Sequence, residues 1–401
     1  MGIKIRTASF ILLYIIVSST NLTAQLAVKG KIVYTMAGSP VENGVVLVSG
    51  GKIEEVGPES DISIPDDYRI LSAEVVTPGL IDAHSVVGLS GIYNQDHDQD
   101  QLEKSDPIQP ELRAIDAYNH NEALIEYLRS FGVTTIHTGH APGALASGQT
   151  MIVKTSVSLS DAIIDPATAV AFTLDYSVNR NFKKPGTKAK SVAMLREEFI
   201  KAKEYLEKIK TAEEGKEPPR NLKLEALAAV LSGELKALFT VNGSNEILAA
   251  LRLQNEFGFD LIIDGAAECY MLTENIKQAG VPVILHAGMV RTGNAAFTTA
   301  ADLKEAGIPF AIQGGYESYV PKSRVVLFEA AIAAANGLSV ENALSSITID
   351  AAKIIGADDR IGSIEEGKDA DLVLYDGDPF EYTSHVCEVI INGKIVKEGC
   401  N

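Results

Sequence analysis

Several polar side chains in this sequence stand where short apolar runs end. Histidine, aspartate, glutamate and the side-chain amides are the residue types that bind metals, move protons and orient small substrates. Eight of them lie at or just after the ends of proposed β-strands: His84, His137, His140, Asn242, Asp264, Glu268, His286 and Gln313. A lone histidine in such a place is more often a hydrogen-bonded core residue, and Glu268 is equally well a surface carboxylate. Several histidines together favour one polar site at which the strand ends meet.

The middle of the chain alternates two hydrophobic patterns. Short apolar segments such as FDLIIDG and VPVILHAG each follow a segment with helical spacing that stops at a glycine. Strands that alternate with helices of roughly 10–15 residues indicate βα units around a parallel sheet. Four consecutive units favour a (β/α)8 TIM-type barrel, a fold that keeps its chemistry at the C-terminal ends of its strands.

Both ends of the chain contain short strands separated by turn residues. Residues 25–77 include Gly-Ser-Pro, Glu-Asn-Gly and Gly-Gly turns, and residues 360–401 show the same strand-and-turn pattern. Such patterns are typical of hairpins. We therefore predict an α/β chain in which residues 78–359 form the barrel, while residues 25–77 and 360–401 together form a small β-sandwich.

The N-terminus has the layout of a secretory signal peptide. Lys4 and Arg6 precede an apolar run centred on residues 10–17, and small and polar residues follow up to Ala24. The apolar run has about half of the roughly 20 residues that a membrane span needs. We expect residues 1–24 to be removed, which predicts a secreted or periplasmic protein with no membrane span after cleavage. An uncleaved anchor is the alternative.

The composition excludes some classes of partner. The formal net charge of −18 disfavours nucleic acid, because phosphate binding relies on lysine and arginine. Hydrophobic residues make up 46% of the chain, which is enough for a large core, so global disorder is not expected. A small molecule is the expected partner.

The three cysteines are Cys269, Cys387 and Cys400, and none forms a C-x-x-C pair, which argues against a zinc finger. Cys387 and Cys400 flank a proposed hairpin with an Asn392-Gly393 turn. Because this register offsets the two cysteines diagonally, the sequence leaves open whether they form a disulfide in an oxidising compartment.

Residues 191–220 form a long charged segment with a helical pattern that ends in glycine and proline. One interpretation is an outer helix exposed to solvent. The other is a lid over the barrel mouth, and the sequence alone does not decide between them.

Two longer motifs resemble those of a known family. VVTPGLIDAH enters the proposed barrel, and SSITIDAAKIIGADDRIGSIEEGKDADLVLYDGDPF leaves it. Together with the β-rich ends they resemble the amidohydrolase superfamily, and most closely its imidazolonepropionase-like branch. The resemblance covers essentially the whole mature chain. In the second motif Lys368, Asp369 and Asp371 return the chain to the sandwich, which predicts a structural role for them.

The resemblance implies a divalent metal, zinc or manganese, bound at the strand ends. The family pattern is a His-x-His pair on the first strand, a lysine on the fourth, histidines on the fifth and sixth, and an aspartate on the eighth. Here His84 is present, but Val86 stands at the position of its partner and cannot bind a metal. The remaining positions contain Asn242, Asp264 and Gln313, with Lys154 as a weak candidate for the lysine.

We assign the candidate residues to three roles on this basis. The candidate metal ligands are His84, His286 and Asp264. The candidate catalytic residues are Asp264, Glu268 and His140. The candidate substrate-binding residues are His137, Asn242 and Gln313.

Three functions are compatible with these residues. The first is a secreted hydrolase of non-peptide carbon–nitrogen bonds, of the cyclic amide type, in which a metal-bound hydroxide attacks the carbonyl. The second is a degenerate, metal-free barrel that binds a small ligand or a partner subunit without hydrolysis. The third is a metal-independent hydrolase that uses Asp264 and His286. A homo-oligomer or an assembly with a related amidohydrolase subunit is compatible with each of them.

Overall fold

Two β-sheets organise the chain in the computed structural model, which describes residues 25–93, 95–286, 295–315 and 326–400. In chain order the strands are β1 (Leu26–Val33), β2 (Val41–Ser49), β3 (Lys52–Pro58), β4 (Arg69–Pro78), β5 (Leu80–Ser85), β6 (Val133–Gly139), β7 (Ala146–Lys154), β8 (Ile163–Thr173), β9 (Lys236–Val241), β10 (Leu261–Gly265), β11 (Val283–Leu285), β12 (Phe310–Ile312), β13 (Leu372–Tyr375), β14 (Val386–Ile391) and β15 (Lys394–Lys397). The α-helices are α1 (Ala123–Ser130), α2 (Ser177–Asn181), α3 (Lys188–Thr211), α4 (Leu222–Ser232), α5 (Ser244–Phe257), α6 (Thr273–Ala279), α7 (Thr299–Ala306), α8 (Val326–Ala335), α9 (Val340–Ser346) and α10 (Ile349–Ile355). The predicted signal segment, residues 1–24, lies outside the described residues.

The larger sheet has eight strands in the order β12-β11-β10-β9-β8-β7-β6-β5 and forms the barrel wall. Its described strands all run in one direction except β7, which is antiparallel to both β6 and β8. The predicted barrel is therefore confirmed as a mixed α/β sheet, but not as eight parallel strands, because β7 follows β6 with no helix between them. The Gly314 N–H donates to Asp82 Oδ1 at 2.9 Å, and this bond links the ends of β12 and β5 so that the sheet is nearly closed.

Glycines end the helices that precede two of the barrel strands. Gly258 follows α5 with a φ of 77°, and Gly280 follows α6 with a φ of 66°. This left-handed conformation is readily accessible to glycine, because glycine has no Cβ. Each glycine therefore stops its helix and turns the chain into the next strand, as the sequence pattern predicts.

Side chains on successive residues of a strand point to opposite faces, which stacks the interior of a barrel in layers. One apolar layer contains Leu238, Ile262, Ile284 and Ala311, from β9 to β12, and it packs against α10. Two residues later in each of these segments stands a polar residue: Thr240, Asp264, His286 and Gln313. The apolar layer thus closes the base of the barrel, and the polar layer lies nearer the C-terminal mouth.

Both chain ends contribute strands to the smaller sheet, whose order is β15-β14-β13-β4-β1-β2-β3. Strand β4 joins the two ends, since it pairs in parallel with β1 and antiparallel with β13. Val76 of β4 therefore lies between Val33 and Leu374. The predicted meeting of the two ends is observed. The predicted sandwich of two layers is not confirmed, because all seven strands are hydrogen-bonded into one sheet.

A buried lysine connects the base of the barrel to the smaller sheet. Lys154 ends β7, and the reversed direction of this strand carries it to the base rather than to the mouth. Its side chain is fully buried, and Nζ lies 2.8 Å from Asp369 Oδ2 and 2.8 Å from Asp371 Oδ2. The half-exposed Lys52 adds a second ion pair to Asp369 at 2.6 Å. The two aspartates therefore have the structural role predicted for them. Lys154 shares this structural role and does not contribute to the mouth of the barrel.

This network predicts a specific acid sensitivity. Burial alone would raise the pKa of Asp369, but the charges of Lys154, Lys52 and Arg360 outweigh it and lower that pKa from 3.8 to about 2. A depressed carboxyl pKa stabilises the fold fully above the unfolded value, and this stabilisation is lost as the pH falls from about 4 to about 2. We expect the loss to be on the order of 2 kcal/mol.

The measurement is urea unfolding between pH 2 and pH 6. Asp369→Asn removes this titration, so its free energy of unfolding should be lower than that of the wild type at pH 6 and approach it near pH 2. Parallel curves for the two proteins over the whole range would contradict the assignment.

Helix α3 contains most of the long charged segment. Leu195, Phe199, Ala202 and Tyr205 recur every three or four residues and are buried. The Phe199 ring lies 5.7 Å from that of Phe172 in β8, so α3 is anchored on the wall of the barrel. This agrees with the outer-helix interpretation. Neither α3 nor any other helix in the described part of the chain is long and apolar enough to cross a membrane.

The smaller sheet contains the two cysteines whose pairing the sequence leaves open. Cys387 in β14 and Cys400 after β15 form a disulfide. Cys269 remains a free and buried thiol.

Candidate active site

An aspartate and a histidine meet in the polar layer of the barrel. His84 lies at the end of β5 and Asp264 lies at the end of β10. His84 Nδ1 is 2.9 Å from Asp264 Oδ1, and both side chains are fully buried. The carboxylate beside Nδ1 favours the tautomer that carries its proton on Nδ1, which leaves Nε2 as the ring nitrogen that can accept a proton.

Two further side chains hold Asp264 in place. Gln313 Nε2 donates to Oδ1 at 2.6 Å, and Thr240 Oγ1 donates to Oδ2 at 2.6 Å. Thr240 is the cross-strand neighbour of Asp264 in the β9–β10 pairing, so the register of the sheet creates this contact. Both carboxylate oxygens therefore accept hydrogen bonds, which fixes the orientation of the group that faces His84.

A second aspartate lies just before the histidine. Asp82 is buried, and Oδ1 accepts hydrogen bonds from the backbone N–H groups of Gly314 and His84, at 2.9 and 3.4 Å. Burial is the largest influence on this carboxyl and raises its pKa to about 7. Asp82 thus shapes the turn that presents His84. Because its pKa is about 7, this carboxyl group is close to its point of titration at neutral pH.

His137 is a hydrogen-bonded residue of the barrel interior. Nδ1 lies 2.9 Å from the Ala83 carbonyl, while Nε2 lies 2.7 Å from Thr150 Oγ1 and 2.8 Å from Thr168 Oγ1. Burial, followed by the nearby His84, lowers the pKa of His137 to about 3, so the ring is neutral at pH 7. Because it donates to the Ala83 carbonyl, which is next to His84, His137 supports the position of His84.

The other candidates are distributed around this centre. Glu268 Oε2 accepts hydrogen bonds from the N–H of Ser244 at 2.7 Å and its hydroxyl at 2.8 Å, which places it beside the first turn of α5. Asn242 follows the end of β9, where Nδ2 is 3.5 Å from Asp175. His140 is buried beyond β6, and burial lowers its pKa to about 4. The structure therefore brings together His84, Asp264 and Gln313, whereas Glu268 and Asn242 contact other elements.

The donor set differs from the one that the metal of the family pattern requires. A catalytic zinc usually has three protein ligands and an open position. Within the described residues, His84, Asp264 and His286 do not form a group whose ligand atoms all lie within 4.8 Å of one another. Val86 is buried where the second histidine of the pair would stand, and both oxygens of Asp264 accept other hydrogen bonds. These described residues do not fit a three-ligand zinc site.

The comparisons with known proteins agree with this architecture. A family model described as the amidohydrolase family matches residues 326–397. The crystal structure of an amidohydrolase from Thermotoga maritima superposes with a TM-score of 0.85 and 29% identity, and covers 93% of this chain and all of that one. An imidazolonepropionase from Caldanaerobacter subterraneus is 25% identical over 85% of this chain and 86% of its own length.

These comparisons support a place for the chain in the amidohydrolase superfamily, in its imidazolonepropionase-like branch. They likewise support a hydrolase that acts on carbon–nitrogen bonds. Superfamily members generally depend on a metal ion. The amidohydrolase tasK of Hapsidospora irregularis is 26% identical over 87% of this chain, although the match spans only 39% of that longer protein.

In the candidate site, Asp82 and Thr240 are residues that the sequence interpretation missed. Thr240 had a detectable signal, since it stands two residues after an apolar inner-layer residue, as Asp264 and Gln313 do. The sequence signal for Asp82 was weaker. The β5–β6 register shifts after Asp82, so the simple alternation of faces does not apply there.

Proposed function

We propose that this chain hydrolyses a carbon–nitrogen bond of a small cyclic amide, with His84 as the general base and Asp264 as the residue that orients it. The observation that carries the proposal is the fully buried contact of 2.9 Å between His84 Nδ1 and Asp264 Oδ1. A carboxylate in this position fixes the tautomer of a histidine and stabilises the imidazolium that forms when Nε2 takes up a proton.

The reaction then follows from the basicity of Nε2. A water molecule gives a proton to Nε2 as its oxygen adds to the amide carbonyl carbon. The carbon–nitrogen bond breaks in the next step, and the imidazolium returns the proton to the departing ring nitrogen. The products are a carboxylic acid and an amine on one opened ring, so the atoms of one water molecule are consumed.

An imidazolone carrying a propionate group is the first substrate to test, because several relatives are named imidazolonepropionases. Other five- and six-membered cyclic amides complete the panel. Ring opening of at least one of them by the purified chain is the expected result. Tight binding without turnover would instead support the second candidate, a degenerate barrel that retains a ligand site. Val86 and the substituted ligand positions are the observations that favour this second candidate.

The zinc or manganese ion predicted from the resemblance stays a prediction, and the described donor set argues against it. We expect the disulfide-bonded protein to retain less than about a tenth of an equivalent of either metal after loading and dialysis, since fewer than three ligands converge. Val86→His restores the histidine pair and is the matched variant, in which uptake should increase. One equivalent in the wild type that is lost in His84→Ala would restore the metal mechanism.

We further propose that the mature protein is secreted or periplasmic, on the basis of the charged and apolar layout of residues 1–24. N-terminal sequencing of the protein made in a Gram-negative host should begin at residue 25. An intact N-terminus would contradict this. Light scattering of the same sample distinguishes a monomer from a homo-oligomer.

A further inference from the structure

A group of potential metal ligands lies on the smaller sheet, far in sequence from the barrel strands. It consists of Asp376, Cys387 and Cys400, whose ligand atoms all lie within 4.8 Å of one another. The two sulfur atoms are joined in a disulfide. If the disulfide were reduced, the two thiolates and the carboxylate would be a donor set that suits zinc, which prefers sulfur and nitrogen ligands in a tetrahedral arrangement.

The backbone around the cysteines is held by bonds that do not involve sulfur. The side chain of Lys397 donates to the carbonyl of Val386 at 2.6 Å and to that of Gly399 at 2.5 Å, which are the neighbours of Cys387 and Cys400. Strand β14 is also paired on both sides, with β13 and β15. Cleavage of the disulfide would therefore leave the two thiols close together.

The carboxylate has its own support. Asp376 Oδ1 accepts the backbone N–H of His385 at 2.6 Å, and Oδ2 lies 2.9 Å from Nδ1 of the same residue. A histidine that touches a ligating carboxylate orients it toward the metal. His385 is half exposed, so it can hold this position while solvent completes the coordination.

Small molecules can reach the group. Asp376, Cys387 and Cys400 line a surface cavity of about 470 Å³ on the smaller sheet. Cys387 is buried, whereas Cys400 and Asp376 are exposed. A reductant can therefore approach the disulfide from the side of Cys400, and a cation can enter by the same route.

We propose that reduction of the Cys387–Cys400 disulfide converts this hairpin into a binding site for a thiophilic divalent cation of the zinc class, with Cys387, Cys400 and Asp376 as ligands. A dithiol reductant supplies two electrons and two protons and is itself oxidised to a disulfide. The two thiols then release their protons to solvent as the cation binds. The site is independent of the barrel centre and of the reaction proposed for it.

Cobalt(II) is the probe, because thiolate coordination gives it a charge-transfer absorption that carboxylate or imidazole coordination does not. The full chain in the Cys269→Ser background is titrated anaerobically, once with the disulfide intact and once after reduction by a phosphine that is then removed. We expect about one equivalent of thiolate-bound cobalt in the reduced protein only, displaced by zinc. Asp376→Asn should weaken the affinity at least about tenfold.

Cys387→Ser with Cys400→Ser is the reference without thiols, and circular dichroism shows whether it and the reduced protein remain folded. Equal cobalt spectra for the reduced, oxidised and double-serine proteins would overturn the proposal. An unchanged affinity in Asp376→Asn would remove the carboxylate from the site. Thiolate-bound cobalt in the folded reduced protein, absent from the folded reference, supports it.

Discussion

Asp264→Asn is expected to lower kcat by about 10²–10⁴-fold, with a smaller effect on KM. An asparagine can present its amide N–H to His84 Nδ1, which forces the proton onto Nε2 and removes the base from the reacting side of the ring. It also removes the negative charge that stabilises the imidazolium. Steady-state kinetics on the cyclic amide that the wild type opens is the measurement.

Asp260→Asn is the matched control for this prediction. Asp260 directly precedes β10, so it lies at the opposite end of the strand from Asp264 and is exposed. The same chemical change there should leave kcat within about twofold of the wild type, as expected for surface substitutions. Equal losses in both variants would show that the effect is structural, and an active Asp264→Asn enzyme would remove Asp264 from the mechanism.

Lys154→Met is expected to destabilise the fold by about 3–5 kcal/mol, because it leaves the buried Asp369 and Asp371 without their buried cation. The methionine has a similar shape, so the loss of charge dominates over the loss of packing. Chemical unfolding at pH 7 measures the change. The expected loss is a large part of the 5–15 kcal/mol of stability that is typical of native proteins.

Lys52→Met provides an internal comparison. Lys52 contacts the same carboxylate at a similar distance, but its side chain is 50% exposed, whereas that of Lys154 is fully buried. Solvent screens such a pair, so we expect a cost of about 0–1 kcal/mol. Equal costs for the two lysines would show that burial does not determine the strength of this network.

The extent to which sequence predicts this structure varies with the range of the interactions. The glycines after α5 and α6 and the helical pattern of residues 191–220 are local features, and the structure agrees with the helices predicted from them. The reversed direction of β7 is not local. It arises because a short loop replaces a helix between two apolar segments, and apolar periodicity carries no information about strand direction.

The same distinction between local patterns and long-range interactions applies to the candidate site. The apolar strands that precede His84, Asp264 and Gln313 predict a shared site, and the structure brings these three side chains into contact. Glu268 also follows an apolar strand, but it lies beside the first turn of α5. A position after a strand end does not by itself determine the direction of a side chain. Lys154 stands at the last residue of its strand as well, and the reversal of that strand takes it away from the mouth.

The Lys154 network also constrains the order in which this protein folds. Its two charged partners are 215 and 217 residues further along the chain, and β4 likewise depends on β13. A chain still under synthesis therefore has neither the counter-charges for Lys154 nor the strand that completes the smaller sheet. Contacts of such sequence separation slow folding. We expect the smaller sheet to form only after the last strands of the chain have emerged.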